Sequence, residues 1–453
     1  MRKILLLTAV FVLLAPIGAQ AATNVVIKGR GFGHGIGLSQ YGAYGYAQHG
    51  FSYRDIIRHY YRSTSLGQSS RRGVRVLLQS GRSSVSFRGA TRIGGKDASP
   101  SRTYVARASG GSVVVSAKGG HRVGRFSAPL KVSTSRNAMR LNGTAINGVA
   151  AGLYRGGFLL TPSGSRITVV NSLGIDSYVQ GVVPGEMPSS WSREALKAQA
   201  VVARTYALAT IKPGQTFDLY PDTRSQMYRG ASGEAFSSNA ATQSTAGQAV
   251  TYGGRPVITY YFSTSGGKTE NVENVFFASL ARPWLKGVDD PFDGISPRHR
   301  WRVTLSAGKL GSRVGLGGAV RKVKVLSRGF SPRIIRARFY GRHGSRTLTG
   351  PAIRSALGLF DSWAYFSVVS SSQRRYADAK LSGPLFPPLV LVGSFDPAPR
   401  SHRLALELRR GGHWTRVGSV RTGHGGRYSV RVPGRGTYRV RGGSVAGPAV
   451  RVR

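Results

Sequence analysis

The sequence predicts an α+β protein: a β-rich mixed domain with a few helices, followed by a small C-terminal all-β sandwich of the immunoglobulin-like type. Short apolar runs separated by Gly, Ser and Asn turns fill residues 74–171 and the end of the chain, as in antiparallel sheets. Helical segments with recognisable caps lie before and after the first set of runs. The 453 residues contain no Cys, so a packed core rather than disulfides must hold the fold.

The first 21 residues have the composition of a secretory signal peptide. Arg2 and Lys3 precede an apolar run over residues 4–14, and the small-x-small triplet at residues 19–21 predicts cleavage before Ala22. The apolar run is shorter than the ~20 residues that a membrane anchor needs. We therefore expect a secreted, cell-wall-associated protein whose mature chain begins at Ala22.

A glycine-rich segment opens the predicted mature chain. It follows a short apolar strand, and its alternating glycines are Gly29, Gly31, Gly33, Gly35 and Gly37. In an extended backbone this alternation would leave one face without side chains, so that another backbone or a ligand can approach closely. The spacing is not that of the dinucleotide-binding fingerprint.

Capping residues predict where the helices begin. Ser39 can cap a helix that Gly50 ends, and Ser52 with Asp55 forms a capping box for the helix that follows. A third, alanine-rich helix is expected to begin near Ser192, because its small apolar residues recur on one side. Small side chains suit close packing against a sheet. The apolar run before Glu186 is expected to be a strand.

The predicted domain boundaries follow changes in composition. The mixed domain covers residues 22–364 and contains a β-rich subdomain at about 72–172. A Ser-, Arg- and Pro-rich segment, residues 365–390, is predicted to be a linker. Residues 391–453 alternate apolar with polar residues between GG, GHGG and PGRG turns and form the sandwich. Its outer faces carry Arg and suit either adhesion to an anionic matrix or a solvated spacer.

The formal net charge of +48 directs the protein to polyanions. Anionic wall polymers, phospholipid and nucleic acid all fit such a charge. No nucleic-acid-binding motif is present, so no nucleic acid is expected, and the predicted export favours the wall. Acidic residues are scarce, and eleven of the seventeen Asp and Glu lie between residues 176 and 293. This region is therefore the expected source of functional carboxylates, beside those that form structural ion pairs.

Four segments carry a family resemblance. They are YVQGVVPGEMPSSWSREALKAQAVVARTYAL around Glu186, DTRSQMYRG at 222–230, YYFSTSGGKTENVENVF at 261–277, and the N-terminal GFGHGIGLSQYGAYGYAQHGFSYRDIIRHYY. Together they resemble the catalytic core of the stage II sporulation protein D family, also called the amidase-enhancer family. In that family the Gly-His-Gly stretch closes the domain, whereas here it opens the chain. The difference resembles a circular permutation, which would place residues 29–62 beside the region that ends near Trp301.

The resemblance implies a peptidoglycan lytic transglycosylase in which Glu186, of the GEMP stretch, is the catalytic residue. One carboxyl group donates a proton to the glycosidic oxygen between N-acetylmuramic acid and N-acetylglucosamine, then accepts the C6 hydroxyl proton as a 1,6-anhydro end forms. Proton donation requires a raised pKa, and the apolar residues near Glu186 in the sequence favour one. By residue type alone, Glu186 also suits a helix cap or an ion pair with Arg.

The remaining candidates would bind the glycan. His34 can hydrogen-bond a sugar hydroxyl or orient Glu186, although a lone histidine often has a structural role. The other polar candidates in the matching segments are Gln40, Tyr41, Asp222, Gln226, Tyr228, Ser263, Ser265 and Glu270. A second carboxylate from Glu270 or Asp222 would make the enzyme a hydrolase. The histidine spacings fit no common zinc pattern, and neither a metal nor another cofactor is predicted.

Two functions of different classes are compatible with these observations. The first is a secreted lytic transglycosylase acting on peptidoglycan glycan strands, for which the resemblance implies a preference for strands without stem peptides. The second is a non-catalytic peptidoglycan-binding enhancer of a cell-wall amidase, which would not need Glu186. An extracellular binder of nucleic acid or phospholipid is a weaker third, and its binding would fall steeply with salt.

Overall fold

The computed structural model describes residues 22–70, 73–211, 214–373, 389–398 and 401–453. The predicted signal peptide, residues 1–21, lies outside these ranges. Of the described residues 41% are in strands and 21% in helices, and most of the strand pairs are antiparallel, which confirms the predicted β-rich α+β class. Within the described ranges, no helix combines the length and the apolar character that crossing a membrane requires.

The described helices, in chain order, are α1 (Gln40–Gln48), α2 (Tyr53–Tyr60), α3 (Ile175–Glu186), α4 (Arg193–Thr210), α5 (Phe236–Ser244), α6 (Ala307–Arg313) and α7 (Gly350–Leu357). The described strands are β1 (Ala22–Gly29), β2 (Leu38–Ser39), β3 (Ser65–Gln68), β4 (Gly73–Arg82), β5 (Val85–Arg88), β6 (Arg92–Ile93), β7 (Lys96–Asp97), β8 (Thr103–Ser109), β9 (Ser112–Ala117), β10 (Arg122–Phe126), β11 (Leu130–Ser133), β12 (Met139–Leu141), β13 (Leu153–Tyr154), β14 (Gly157–Ser163), β15 (Arg166–Gly174), β16 (Gln248–Tyr252), β17 (Arg255–Pro256), β18 (Tyr261–Phe262), β19 (Trp301–Ser306), β20 (Lys322–Arg328), β21 (Ile334–Tyr340), β22 (Ser345–Thr349), β23 (Ala364–Gln373), β24 (Val390–Asp396), β25 (Arg403–Arg410), β26 (His413–Arg421), β27 (Arg427–Arg431), β28 (Gly436–Gly442), β29 (Val445–Ala446) and β30 (Val450–Val452).

The predicted helices form at their capping residues. The Ser39 side chain accepts a hydrogen bond from a backbone amide at the start of α1, and Ser52 with Asp55 forms the predicted capping box of α2. The alanine-rich helix is α4. The segment before Glu186, predicted to be a strand, is instead the helix α3. Residue 175 and residues 178–183 of α3 are buried, so its apolar run lacks the helical period that would have distinguished it from a strand.

Two six-stranded sheets account for the β-rich subdomain predicted at about 72–172. One has the order β10-β9-β8-β5-β12-β13 and the other the order β4-β15-β14-β11-β6-β7. They share a core with α3 and α4, in which Val76 and Phe87, one from each sheet, pack with Val183 and Ala200 from the helices. This core holds the end of α3, and therefore the backbone of Glu186, on a rigid support.

The glycine-rich segment lies where the permutation predicts. Strand β1 pairs with β19 from Asn24 to Gly29, which lies opposite Trp301, so residues 29–62 begin beside the region near Trp301. The alternating glycines beyond Gly29 do not continue as a regular strand. Gly31, Gly33, Gly35 and Gly37 have φ values of 80°, 133°, 87° and 75°, which glycine adopts without steric cost. The expected close approach of another backbone nevertheless occurs, because the Tyr260 carbonyl group occupies the space that a Cβ on Gly37 would need.

One five-stranded sheet joins the two ends of the chain in the order β19-β1-β23-β24-β27. Strand β23 includes residues 365–373, so the first part of the predicted linker is a central strand of this sheet. Its Ser-rich sequence alternates buried and partly exposed positions, a pattern that composition alone did not reveal. Residues 374–388 of the predicted linker lie outside the described residues.

The C-terminal residues form a two-layered β-structure, but one layer belongs to the joining sheet. Strands β24 and β27 extend that sheet, and the second layer has the order β26-β25-β28-β29, with β30 beside β28. Val26 and Val369 of the larger domain pack in one core with Leu406 and Val440 of the second layer. The sandwich is therefore built directly on the larger domain.

The opposite face of the joining sheet carries a smaller layer. Val25 and Ile27 of β1 pack in a core with Phe339 of the sheet β20-β21-β22, with Leu310 of α6 and with Ile353 of α7. The remaining pairings are the sheet β17-β16-β3 and the parallel pair β18-β2. Through this arrangement α7 reaches the neighbourhood of β18, which is important for the site described next.

Candidate active site

Glu186, the last residue of α3, faces a cleft of about 440 Å³. The other lining residues are mostly aromatic, apolar or hydroxyl-bearing and come from distant parts of the chain: Phe32, Gly33, His34, Tyr206, Thr223, Ser225, Met227, Tyr260, Tyr261, Phe262, Ser263, Phe276 and Arg354. Among the described residues that line this cleft, Glu186 is the sole Asp or Glu and Arg354 the sole Lys or Arg.

The surroundings of the Glu186 carboxyl group favour its protonated form. The Met227 amide donates a hydrogen bond to Glu186 Oε1 at 2.7 Å, and the Tyr261 hydroxyl interacts with the same carboxyl group. Both contacts stabilise the carboxylate, but burial has the larger effect and raises the pKa of Glu186 above its usual range. Glu186 therefore keeps its proton to higher pH than an exposed glutamate, as a general acid requires.

A chain of hydrogen bonds orients Tyr261. The Tyr178 hydroxyl donates to Gln226 Oε1 at 3.1 Å, and Gln226 Nε2 donates to the Tyr261 oxygen at 3.0 Å. Because the Tyr261 oxygen accepts this bond, its own proton is directed to the Glu186 carboxyl group. Gln226 is 1% exposed and does not line the cleft, so it positions the Tyr261 hydroxyl and does not contact a ligand.

His34 lies in the cleft but uses both ring nitrogens for the backbone. The Ile36 amide donates to His34 Nδ1 at 3.0 Å, which leaves the proton on Nε2, where it is donated to the Tyr261 carbonyl oxygen. Burial, with a smaller effect from the Arg354 charge, lowers the pKa of His34 to about 3. His34 is thus a neutral residue that positions the backbone of Tyr261.

Gln40 positions the backbone of Glu186. Gln40 Nε2 donates to the Glu186 carbonyl oxygen at 3.0 Å, which satisfies one of the carbonyl groups left without a partner at the end of α3. The same nitrogen lies 3.3 Å from Gln199 Oε1 on α4. The glycine-rich segment is therefore joined by hydrogen bonds directly to α3 and α4.

The other sequence-predicted candidates lie at different distances from the cleft. Ser263 lines it, and the Tyr41 ring packs edge-on against Trp191 at 4.8 Å, outside the lining. Asp222 precedes a lining residue but pairs with Arg224 at 2.6 Å. In the ranges that the structure describes, no three His, Asp or Glu side chains are grouped so that they could hold a metal ion.

Three of the predicted ligand-binding residues are buried in the fold and do not line the cleft. Tyr228, Ser265 and Glu270 are each at most 1% exposed. The Tyr228 hydroxyl and the Ser265 Oγ form hydrogen bonds within the protein. Glu270 accepts hydrogen bonds from the backbone amides of Phe330 and Ser331, so its charge is already stabilised. The geometry therefore gives Glu270 a structural role.

Several cleft residues were not identified from the sequence, chiefly Tyr206, Met227, Tyr260, Tyr261, Phe276 and Arg354. Tyr261 lies in one of the four matching segments, two residues before Ser263, and that position was the available signal. Arg354 comes from α7, outside those segments, so no sequence pattern pointed to it.

Comparison with known proteins places Glu186 within a family match. Residues 163–252 match the family described as Stage II sporulation protein. The chain is 39% identical over 150 residues to an uncharacterised protein of Brachyspira hyodysenteriae and 31% identical over 209 residues to Stage II sporulation protein D of Bacillus subtilis. It is also 40% identical over 136 residues to the Amidase enhancer of Bacillus subtilis.

These matches cover parts of both chains. They span 32%, 42% and 30% of this chain in the order given above. They span 39%, 59% and 18% of the respective relatives, so the chain matches less than two thirds of the length of each.

Proposed function

Since the chain carries a domain of the stage II sporulation protein D and amidase-enhancer family, we propose that it is an exported peptidoglycan lytic transglycosylase with Glu186 as acid and base. The observation that carries the proposal is a single buried carboxyl group, with a raised pKa, in a cleft lined by aromatic side chains. Such sites, mostly apolar with a few placed polar groups, are typical of ligand clefts. The predicted signal peptide supports delivery to the wall.

In the first step the glycosidic bond breaks. Protonated Glu186 donates its proton to the oxygen between N-acetylmuramic acid and N-acetylglucosamine, and the C1–O electron pair leaves with that oxygen. The carboxylate that forms is stabilised by the Met227 amide and the Tyr261 hydroxyl. These donors are already in place, so little reorganisation accompanies the development of charge.

In the second step the product ring closes. The muramic C6 oxygen bonds to C1, and its proton passes to the Glu186 carboxylate. Glu186 returns to its starting form, and no water is consumed. The product carries a 1,6-anhydro end.

The arrangement favours this mechanism over hydrolysis. A hydrolase of the common kind needs a second carboxylate across the scissile bond. Of the two alternatives considered from the sequence, Glu270 is buried and saturated with hydrogen bonds, and Asp222 is engaged by Arg224. Neither lines the cleft.

The experiment that tests the proposal examines product chemistry. The purified mature protein is incubated with glycan strands, with and without stem peptides, and the released ends are identified by mass spectrometry. We expect 1,6-anhydro ends from the wild type. Because Glu186→Gln lacks the proposed proton donor, it should release product at least about 10²- to 10⁴-fold more slowly than the wild type. Asp222→Asn serves as the matched control and should keep most of the activity.

Three outcomes would contradict the proposal. Equal product from Glu186→Gln would remove the catalytic assignment. Reducing ends in place of anhydro ends, with loss of activity in Asp222→Asn, would indicate hydrolysis with two carboxylates. The relative named Amidase enhancer supports a second candidate function, which is stimulation of a wall amidase without cleavage. Wall binding without soluble product, and amidase stimulation that survives Glu186→Gln, would favour that function.

A further inference from the structure

A second cleft, of about 550 Å³, lies where the larger domain meets the C-terminal layer. We call it the junction cleft, and its lining side chains are Lys28, Arg30, Arg300, Arg302, Tyr365 and Ser444. The structure assigns to it a function separate from the active site: we infer that the junction cleft binds the phosphodiester groups of an anionic wall polymer. This inference does not depend on the catalytic role of Glu186.

The four cations of the junction cleft are brought together by strand register. Lys28 of β1 lies directly opposite Arg302 of β19, and Arg30 and Arg300 continue the two chains into the same cleft. Like charges directly opposite each other destabilise a sheet. None of the four forms an ion pair with a carboxylate of the described residues. The cluster is therefore unfavourable in the free protein and would be stabilised by a bound polyanion.

The contrast with other arginines supports this reading. Arg204 and Arg333, both buried, are paired with Asp176 and Asp361, at 2.7 Å in each case. The chain has seventeen Asp and Glu for sixty-five Lys and Arg, so most of its cations have no carboxylate partner, and what distinguishes the junction cleft is that four such cations share one concave site. Leaving four cations without a carboxylate in one concave site is consistent with an external anion as their partner.

Several of the polar side chains in the junction cleft are held in place before any ligand binds. Lys28 Nζ donates to Ser444 Oγ at 2.6 Å, and the Arg30 guanidinium lies 5.2 Å from the centre of the Trp363 ring. Ser444 belongs to the turn between β28 and β29, so the C-terminal layer completes the site. Ordering the cations in advance reduces the entropy cost of binding.

The cleft suits a phosphodiester polymer better than a nucleic acid. Single-stranded nucleic acids bind largely by stacking their bases on free aromatic faces. Of the two aromatic residues that line the cleft, Tyr365 is 45% exposed and has the Arg328 guanidinium 4.4 Å from its ring centre. Trp301 is 8% exposed and donates its indole N–H to the Gly31 carbonyl, so the cleft offers one partly open ring and no series of aromatic faces on which successive bases could stack. Guanidinium groups pair well with phosphate oxygens, and a polymer can engage several cations at once.

The position of the junction cleft also fits a wall polymer. Gly29 and Arg30 line this cleft, whereas Phe32 and Gly33, only a few residues further along the chain, line the active site. A polymer bound in the junction cleft would hold the active site beside the matrix to which that polymer is attached.

The test uses the full mature chain and soluble poly(glycerol phosphate) as the probe. Arg300→Gln/Arg302→Gln removes two exposed cations of the cleft. At about 0.1 M salt we expect the affinity to fall roughly tenfold, with a shallower dependence of log affinity on log salt. Arg336→Gln/Arg338→Gln removes the same charge from the exposed face of β21 and should change the affinity less than about twofold. Both variants should retain wild-type glycan cleavage.

The inference is overturned if the cleft variant binds the polymer as tightly as the wild type. It is also overturned if the control variant loses as much affinity, since net charge alone would then explain binding. Single-stranded DNA of equal charge should bind more weakly than the polymer. If DNA binds as tightly and is lost in the same cleft variant, the site is a nucleic-acid site. A loss of polymer binding with intact cleavage separates this result from any failure of the proposed enzymatic function.

Discussion

Replacing Tyr261 by Phe tests how the proton of Glu186 is controlled. The change removes one hydroxyl group and leaves the ring that lines the cleft. That hydroxyl accepts a hydrogen bond from Gln226 at 3.0 Å and interacts with the Glu186 carboxyl group. The variant therefore loses two interactions with separate consequences, one for stability and one for catalysis.

The stability cost comes from Gln226. Its amide nitrogen is left without a partner in a residue that is 1% exposed, and an unpaired buried donor costs about 1–3 kcal/mol. The catalytic cost comes from the carboxylate that forms when Glu186 donates its proton. A hydrogen bond to a charged group contributes about 1.5–3 kcal/mol, so kcat/KM should fall roughly ten- to hundredfold.

The pH dependence gives the more specific readout. The Tyr261 interaction stabilises the charged form and so lowers the pKa of Glu186, against the larger effect of burial. Without it the pKa rises further. Because the proposed mechanism uses Glu186 as an acid, activity should be lost as pH rises through this pKa, and the alkaline limb of the profile should move to higher pH in Tyr261→Phe.

Tyr178→Phe is the matched control. It removes the hydrogen bond that Tyr178 donates to Gln226 at 3.1 Å and leaves the Tyr261 hydroxyl in place. Chemical denaturation should show a similar loss of stability in both variants, whereas the pH profile of anhydro-product release should shift only in Tyr261→Phe. If both variants keep the wild-type alkaline limb, Tyr261 does not tune the acid and our account of the site is wrong.

Three further predictions concern buried groups. Burial, with a smaller effect from Asp293, raises the pKa of Asp290 to about 7. The contribution of protonated Asp290 to the free energy of unfolding is therefore fully present below about pH 4 and is lost as pH rises through about 7. Asp290→Asn should therefore stabilise the protein at pH 8, by up to about 4 kcal/mol in denaturation curves, and not at pH 4. Asp361→Asn leaves Arg333 without its carboxylate partner and should cost about 3–5 kcal/mol by the same measurement. Gly42→Ala places a methyl group against the Asp290 carboxylate and should lower the melting temperature despite the better helix propensity of Ala.

The helices show which parts of the fold could be predicted from residues that are neighbours in the sequence. The Ser39 cap and the Ser52–Asp55 box involve residues within one turn, so their prediction needed no tertiary information. The helix α3 was mistaken for a strand because the sheet that contains β4 and β15, together with α4 and α5, buries its sides and removes the periodic pattern. Residues 365–373 were predicted to belong to a linker, and this was wrong. Their strand is stabilised by pairing with β1, at the other end of the chain, which the local sequence does not show.

In the candidate site, too, sequence context identified a residue, while its partners were seen only in the structure. Glu186 was identified through its sequence context, and the structure adds that Gln40 and Gln226 serve it without contacting the ligand space. From residue type and sequence context, Gln40 and Gln226 were both predicted to bind the glycan. Their actual partners, the Glu186 carbonyl and the Tyr261 hydroxyl, come from segments far away in the chain.

The sequence by itself determined the charge, the scarcity of carboxylates, the family match around Glu186 and the capped helices, since these depend on composition or on neighbours along the chain. Only the tertiary structure decided which polar residues reach the cleft beside Glu186, that four cations meet in the junction cleft, and that the sandwich shares a sheet with the larger domain. The physical reason is that desolvation, hydrogen-bond partners and charge clustering are set by residues that are distant in sequence. The raised pKa of Glu186 is the clearest case, because the aromatic rings that line its cleft come from several separate segments.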